Sequence, residues 1–588
     1  MKELLSGNEA IARAAYECGV KVAAAYPGTP STEILEQFSR YPGVYAEWAP
    51  NEKVALEVGI GASLAGVRTL VAMKHVGVNV AADPLLTFAY TGVNGGFVLV
   101  SADDPGSHSS QNEQDNRQYA RFAKIPLLEP SDSREAGDMV GLALLLSEQY
   151  DTPVMLRITT RVAHSQSFVE KREPQPQELR PYCRNPKKYL MLPAFARERR
   201  AFIEERLAGL KEYSETTPVN RIEWRDRSAG IITSGISYQY VREALPDVSV
   251  LKLGLTWPLP EKLIRSFAEG VKRLLVVEEL EPFLEEQVKA MGLAVSGKEY
   301  IPSTGELSPG IVAGKMIEAG LLEQQGGPAA GTVPEDAPAV PGRPPVMCPG
   351  CPHRGVFYTL RRLKLNVTGD IGCYTLGGLP PLEAMDCCIC MGASIGTAHG
   401  AEKADPAWAG HAVAVIGDST FLHSGLTGLL NVVYNRGSST VLILDNSTTA
   451  MTGHQQHPGT GYTLMGKSAP AVDLEALVRA LGVKRVRLVN PRDLAEVAEA
   501  VKEEVAVREP SVIICRQPCA LLDRQSAPAP RVLMEKCTGC KTCLGLGCPA
   551  IAIIDKKVSI DSGSCTGCGL CVQVCKTGAL AKGGADHA

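Results

Sequence analysis

The chain of 588 residues is long enough for about four domains, and 45% of it is apolar, enough to build substantial cores. Its 60 lysines and arginines against 64 aspartates and glutamates leave a net charge of −4, with no basic footprint for nucleic acid or an anionic membrane. No stretch of 18 or more uncharged apolar residues occurs, since the best candidate at 54–73 carries Glu57 and Arg68, and the opening residues hold no long apolar run. The expectation is a cytoplasmic protein with no signal peptide and no membrane span.

Residues 1–165 alternate short strands at 20–26, 69–74 and 96–101 with helical stretches such as 51–65. That alternation predicts a parallel α/β sheet. Residues 166–227 are charged and dotted with proline, with one amphipathic helical stretch at 195–213, and read as a helical connection. A second α/β domain follows at 228–322, with strands at 230–234, 248–253 and 273–278. Residues 323–345 combine proline, glycine and alanine with few large apolar side chains, the composition of a linker. A third α/β domain spans 346–525, and a cysteine-rich module spans 526–588.

In the third domain a strand at 411–416 stops at Gly417-Asp418-Ser419, a helix follows at 422–434, and a second strand at 440–444 stops at Asp445-Asn446-Ser447-Thr448. Both strand ends of such a βαβ unit lie on one carboxyl edge, where open α/β sheets bind ligands. A carboxylate, an amide oxygen and a carbonyl two residues later are hard ligands that suit Mg²⁺ shared with phosphate oxygens. Taken alone, Gly-Asp-Ser after a strand is also a common turn.

Eight cysteines fall in the last 52 residues as two runs: Cys537, Cys540, Cys543 and Cys548, then Cys565, Cys568, Cys571 and Cys575. A C-x₂-C-x₂-C turn aims three thiolates at one [4Fe–4S] cubane while the fourth cysteine reaches the other cubane. By that swap Cys537, Cys540, Cys543 and Cys575 hold one cluster, and Cys565, Cys568, Cys571 and Cys548 the other. The first run has one extra residue before Cys548, and the second lacks the usual proline, since Lys576 follows Cys575. Zinc sites or disulfides fit this close double spacing less well.

The cysteine module resembles a two-cluster bacterial ferredoxin, and Gly417-Asp418-Ser419 with Asn446 placed 28 residues after Asp418 resembles the GDG…N signature of thiamine-diphosphate enzymes. That likeness implies that Asp418, Asn446 and the Thr448 carbonyl hold Mg²⁺ on the diphosphate, with Gly417 and Ser419 at the cofactor. Thiamine chemistry also needs a carboxylate on the aminopyrimidine, and Glu52 in Trp48-Ala49-Pro50-Asn51-Glu52-Lys53 is similar to the superfamily's pyrimidine-side glutamate. Its plain alternative is an acidic residue favoured in a first helical turn.

Tyr26-Pro27-Gly28-Thr29-Pro30-Ser31 and Cys348-Pro349-Gly350-Cys351 resemble motifs of the 2-oxoacid:ferredoxin oxidoreductase family, and the Leu253–Pro260 stretch looks like its transketolase C-terminal-type domain. The domain order looks most like the alpha subunits of that family's indolepyruvate branch. The resemblance implies two thiamine-type domains, at 1–165 for the pyrimidine and 346–525 for the diphosphate. It further implies a third [4Fe–4S] cluster on Cys348, Cys351, Cys373 and Cys519, and Thr29 as the substrate-side threonine.

The implied reaction is oxidative decarboxylation of an arylpyruvate, indolepyruvate favoured, with coenzyme A taking the acyl group and electrons leaving singly to a soluble ferredoxin. A family domain missing from this chain implies a smaller beta subunit in a hetero-oligomer with at least two alpha subunits. Two other classes stay open at this point: an electron-transfer scaffold that binds no thiamine, and a non-oxidative thiamine decarboxylase with an accessory ferredoxin.

Overall fold

The structure, a computed structural model, describes residues 2–175, 179–322, 344–405, 407–523 and 527–583. All of the expected linker except Pro344 and Pro345 lies outside them. The chain divides into two units, Met1–Pro338 and Ala339–Ala588.

In the first unit, Tyr45–Trp48, Val22–Ala25, Thr69–Lys74, Phe97–Asp103, Val154–Thr159 and Leu127–Leu128 run parallel, in that order across one sheet. Thr69–Lys74 and Phe97–Asp103 are buried along their whole length, as parallel strands covered on both faces must be. The strands read at 20–26, 69–74 and 96–101 and the helix at 51–65 correspond to Val22–Ala25, Thr69–Lys74, Phe97–Asp103 and Glu52–Leu64. That helix starts where it does because the Asn51 side chain accepts from the Val54 N–H at 2.9 Å, capping a free donor of the first turn.

A seventh strand, Leu255–Trp257, joins from far along the chain and pairs antiparallel with Leu127–Leu128. Residues 166–227 also carry regular structure. Gln166–Glu170 pairs antiparallel with Lys2–Ser6, and Pro193–Ser214 is a helix of 22 residues.

A four-stranded sheet follows in the order Leu274–Val277, Asp226–Ser234, Val248–Leu253, Arg221–Glu223, the first three parallel and the last antiparallel. Its Ile232 and Leu251, with Phe267, share a core with Val71, Leu99 and Met155 of the seven-stranded sheet. The same regions are tied by buried ion pairs. Arg117 reaches Asp115 at 2.6 Å and Glu278 at 2.7 Å, and Arg157 reaches Asp103 and Glu129 at 2.6 Å each. Removing one partner would strand a buried charge at a cost of about 3–5 kcal/mol.

The second unit holds six parallel strands in the order Cys387–Cys388, Asn366–Gly369, Ala412–Gly417, Thr440–Asp445, Ser511–Arg516, Arg485–Val489. The strands expected at 411–416 and 440–444 are Ala412–Gly417 and Thr440–Asp445. The helix expected over 422–434 is broken: a π-helical turn at Phe421–Gly425 precedes the α-helix Leu426–Tyr434. The cysteine-rich module adds a hairpin of Ile551–Ile554 with Lys557–Ile560 and a short ladder of Arg531–Val532 with Leu580–Ala581. Its Leu546, Leu570 and Val574 share one hydrophobic core with Val356, Phe357 and Leu360. The module and the six-stranded sheet are therefore one packed body. No helix among the described residues is long and apolar enough to cross a membrane.

Candidate functional site

Ala412–Gly417 and Thr440–Asp445 are neighbours in register, Gly417 opposite Leu444, so Asp418 and Asn446 emerge side by side at one carboxyl edge. Gly417 is needed for space: a Cβ there would sit 2.7 Å from the Tyr374 ring. Asp418 is buried, and each carboxylate oxygen accepts a backbone N–H at 2.8 Å, Oδ1 from Ser419 and Oδ2 from Ser447. Ser447 has φ of 58°, the left-handed turn that brings its N–H round to Asp418. Burial pushes the Asp418 carboxyl above its ordinary range, and His457, whose Nε2 lies 3.4 Å from Oδ2, pulls the other way.

Asn446 places its Nδ2 3.4 Å from His353 Nε2, and among the described residues its Oδ1 accepts one long contact of 3.4 Å, from the Thr448 N–H. The Thr448 carbonyl accepts no hydrogen bond among the described residues. Ser419 meets Thr449 hydroxyl to hydroxyl at 2.9 Å. A buried carboxylate, an amide oxygen and an under-used carbonyl on two touching loops fit Mg²⁺ bridging a diphosphate.

Cys348, Cys351, Cys373 and Cys519 lie near one another, and Cys519 adjoins the Asn446 loop. Burial pushes the Cys351 thiol up to about 12, with Cys373 and Cys348 close enough to push in the same direction. Burial likewise pushes Cys373 up to about 11, reinforced by Cys519 and Cys348. The loop carrying Cys373 is tied to the Asp418 turn, because the Thr420 hydroxyl donates to the Ile371 carbonyl at 3.0 Å.

Two cavities open in the cysteine-rich module. Cys548, Cys565, Cys568 and Cys571 line one, and Cys537, Cys540, Cys543 and Cys575 line the other. These are the two sets drawn from spacing. No three His, Cys, Asp or Glu side chains among the described residues converge as ligands of a single ion would. Four thiols around a void fit a cubane, whose sulfur ligands stand further apart than those of zinc. The extra residue before Cys548 is taken up by a 3₁₀ turn, Thr542–Leu546, closed by Gly547 at φ of 65°.

In the first unit, Glu52 and Thr29 follow neighbouring parallel strands, Ala25 opposite Trp48, and share one carboxyl edge. Glu52 is buried and lies over Gly77, where a Cβ would come 2.6 Å from Oε1. Thr29 is half-buried. Sequence reasoning missed His353, Arg354, Tyr374 and His457. His353-Arg354 directly follow the second Cys-Pro pair, a placement that could have drawn notice; His457 had no such signal.

Three family models match: pyruvate flavodoxin/ferredoxin oxidoreductase, thiamine diphosphate-binding, at 13–203; thiamine pyrophosphate enzyme, C-terminal TPP binding domain, at 370–515; and a 4Fe-4S binding domain at 558–581. Indolepyruvate oxidoreductase subunit IorA of Archaeoglobus fulgidus is 44% identical over 98% of this chain and 97% of its own length. The subunits of the same name from Methanothermobacter marburgensis and Pyrococcus horikoshii are each 43% identical, over 98% and 99% of this chain and 96% and 97% of their own lengths. The chain belongs to the IorA family of indolepyruvate oxidoreductase subunits. An IorA-family chain with these domains is an oxidoreductase subunit of the thiamine-diphosphate-dependent class, built of parallel-sheet α/β domains and an iron–sulfur domain.

Proposed function

We propose that this chain, with a smaller beta subunit, converts an arylpyruvate and coenzyme A to the aryl-acetyl-CoA and carbon dioxide, indolepyruvate being the favoured substrate. The reaction releases one proton and two electrons, which leave singly to a soluble ferredoxin. The observation that carries this reading is the junction of a buried Asp418–Asn446 edge with a thiol group and two thiol-lined cavities inside one continuous core.

Thiamine diphosphate, when bound, supplies the electron sink at the carbon that loses carbon dioxide. Asp418, Asn446 and the Thr448 carbonyl hold its Mg²⁺, with Gly417 and Ser419 against the diphosphate. Glu52 holds the proton on the pyrimidine ring nitrogen, and Thr29 faces substrate. Cys348, Cys351, Cys373 and Cys519 hold a cluster nearest the thiamine, and the two cysteine sets of the C-terminal module hold the two onward clusters.

In this reading 1–165 is the pyrimidine domain, 166–227 a helical connection, 228–322 transketolase C-terminal-like, 323–345 a linker, 346–525 the diphosphate domain and 526–588 the ferredoxin domain. The working assembly is a cytoplasmic hetero-oligomer with at least two alpha subunits.

The test is anaerobic co-purification with the beta subunit, followed by thiamine and iron analysis and coenzyme A-dependent ferredoxin reduction with indolepyruvate, phenylpyruvate and hydroxyphenylpyruvate. Protein without thiamine would make the chain a scaffold. Aldehyde release without any need for coenzyme A would make it a non-oxidative decarboxylase.

A further inference from the structure

Arg354 is 1% exposed, one of the largest fully buried side chains. Its Nη1 donates to the Leu546 carbonyl at 2.7 Å, and its Nη2 to the carbonyls of Met347 at 2.6 Å and Cys348 at 3.0 Å. All three acceptors are neutral, and no carboxylate pairs with it among the described residues. Its Nε–H finds no acceptor among the described residues. The equally buried Arg117 is paired with Asp115 and Glu278, whereas buried Arg206 rests on the backbone carbonyls of Asp151, Ala89 and Lys124. A buried charge without a counter-ion costs several kcal/mol, and an anion beside it would offset that cost.

The surroundings identify it. Arg354 lines the cavity walled by Cys548, Cys565, Cys568 and Cys571, together with Pro349 and Gly350. Its hydrogen bond to the Cys348 carbonyl also sets it beside the loop that carries Cys348 and Cys351. Gly350, at φ of 72°, lets the two loops touch, since a Cβ there would meet the Thr566 hydroxyl at 2.1 Å.

We propose that Arg354 is the counter-ion of the cluster held by Cys548, Cys565, Cys568 and Cys571, and that it raises that cluster's reduction potential. The inference rests on reading this cavity as a [4Fe–4S] site. Reduction adds one negative charge and moves no atom, so a fixed cation in low dielectric favours the reduced form. A hydrogen bond from an otherwise unmatched N–H acts in the same direction. Lying between this set and Cys351, the same residue biases the step that carries electrons away from the thiamine side.

The test is a redox titration followed by electron paramagnetic resonance on the full complex, for wild type, Arg354→Gln, Arg354→Met and Arg354→Lys, with iron counted in each. Wild-type protein with fewer than about 8 iron per chain would remove the cluster reading itself. Given full iron, the neutral variants should lower one cluster's potential by about tenfold in its one-electron equilibrium, about 59 mV, while Arg354→Lys shifts it less. Loss of that cluster alone in both neutral variants, with retention in Arg354→Lys, also supports the charge role. Neutral variants with full iron and an unshifted potential would overturn it, as would equal loss of the cluster in all three variants.

Discussion

The backbone N–H of Cys519 donates to the carbonyl of Asn446 at 3.1 Å, joining a candidate cluster thiol to a candidate metal ligand by one hydrogen bond. The bond extends the ladder between Thr440–Asp445 and Ser511–Arg516, in which Asp445 faces Arg516 and the Gln517 N–H reaches the Asp445 carbonyl at 3.0 Å. Two parallel strands thus continue past their ends far enough to set Cys519 beside Asn446. His454, whose Nε2 is 3.6 Å from Cys519 Sγ, belongs to the loop that also supplies His457 to Asp418.

Asp418→Ala should weaken thiamine diphosphate binding by more than about 100-fold, since it removes the only carboxylate of the proposed Mg²⁺ set and exceeds the usual cost of altering an outer-sphere partner. Iron on the eight C-terminal cysteines should be unchanged, because none of them contacts Asp418 directly. Cofactor content of the desalted protein decides it, and normal retention would remove Asp418 from the site.

Glu52→Gln should keep the cofactor and lose turnover by on the order of 100-fold or more. Glutamine preserves the volume over Gly77 and a hydrogen bond to a ring nitrogen, yet cannot hold the proton there. Single-turnover decarboxylation with quantified thiamine is the measurement; an active variant would mean that another carboxylate serves the pyrimidine.

Iron per chain separates two electron routes. With Cys348, Cys351, Cys373 and Cys519 holding a cubane, the reconstituted protein should carry about 12 iron, and Cys373→Ala about 8. Point substitution is the right tool because Leu546 and Leu570 share a core with Val356 and Phe357, so cutting off the C-terminal module would expose apolar surface. About 8 iron in both proteins would mean that those four thiols are structural.

The parts of this molecule legible in its sequence are those with local signatures. Buried parallel strands such as Thr69–Lys74 are continuous apolar runs, and the cysteine spacings encode a turn geometry that needs no distant partner. What escaped is set by contacts remote in sequence. Leu255–Trp257 is too short to show a period and becomes a strand only against Leu127–Leu128. The π turn at Phe421–Gly425 looks helical in composition and departs from α geometry beside Asp418. Arg354 meets Leu546 across 192 residues, and such a pairing leaves no periodic trace.

Glu279 offers a pH test of the first unit. It is buried, and burial raises its carboxyl to about 7, opposed by the Leu307 N–H at 3.0 Å and by Arg157. Its folded pKa lies above the ordinary carboxylate value, so between about pH 4.5 and 7 the folded chain holds a proton that the unfolded chain has lost. Stability contributed by this group is therefore full below about pH 4.5 and declines as pH rises through 7, by at most a few kcal/mol. Glu279→Gln keeps an oxygen for the Leu307 N–H and cannot ionise. It should raise the melting midpoint of the first unit at pH 8 and leave it nearly unchanged at pH 5. Equal shifts at both pH values would show that Glu279 stays ionised throughout, held by the neighbouring guanidinium of Arg157.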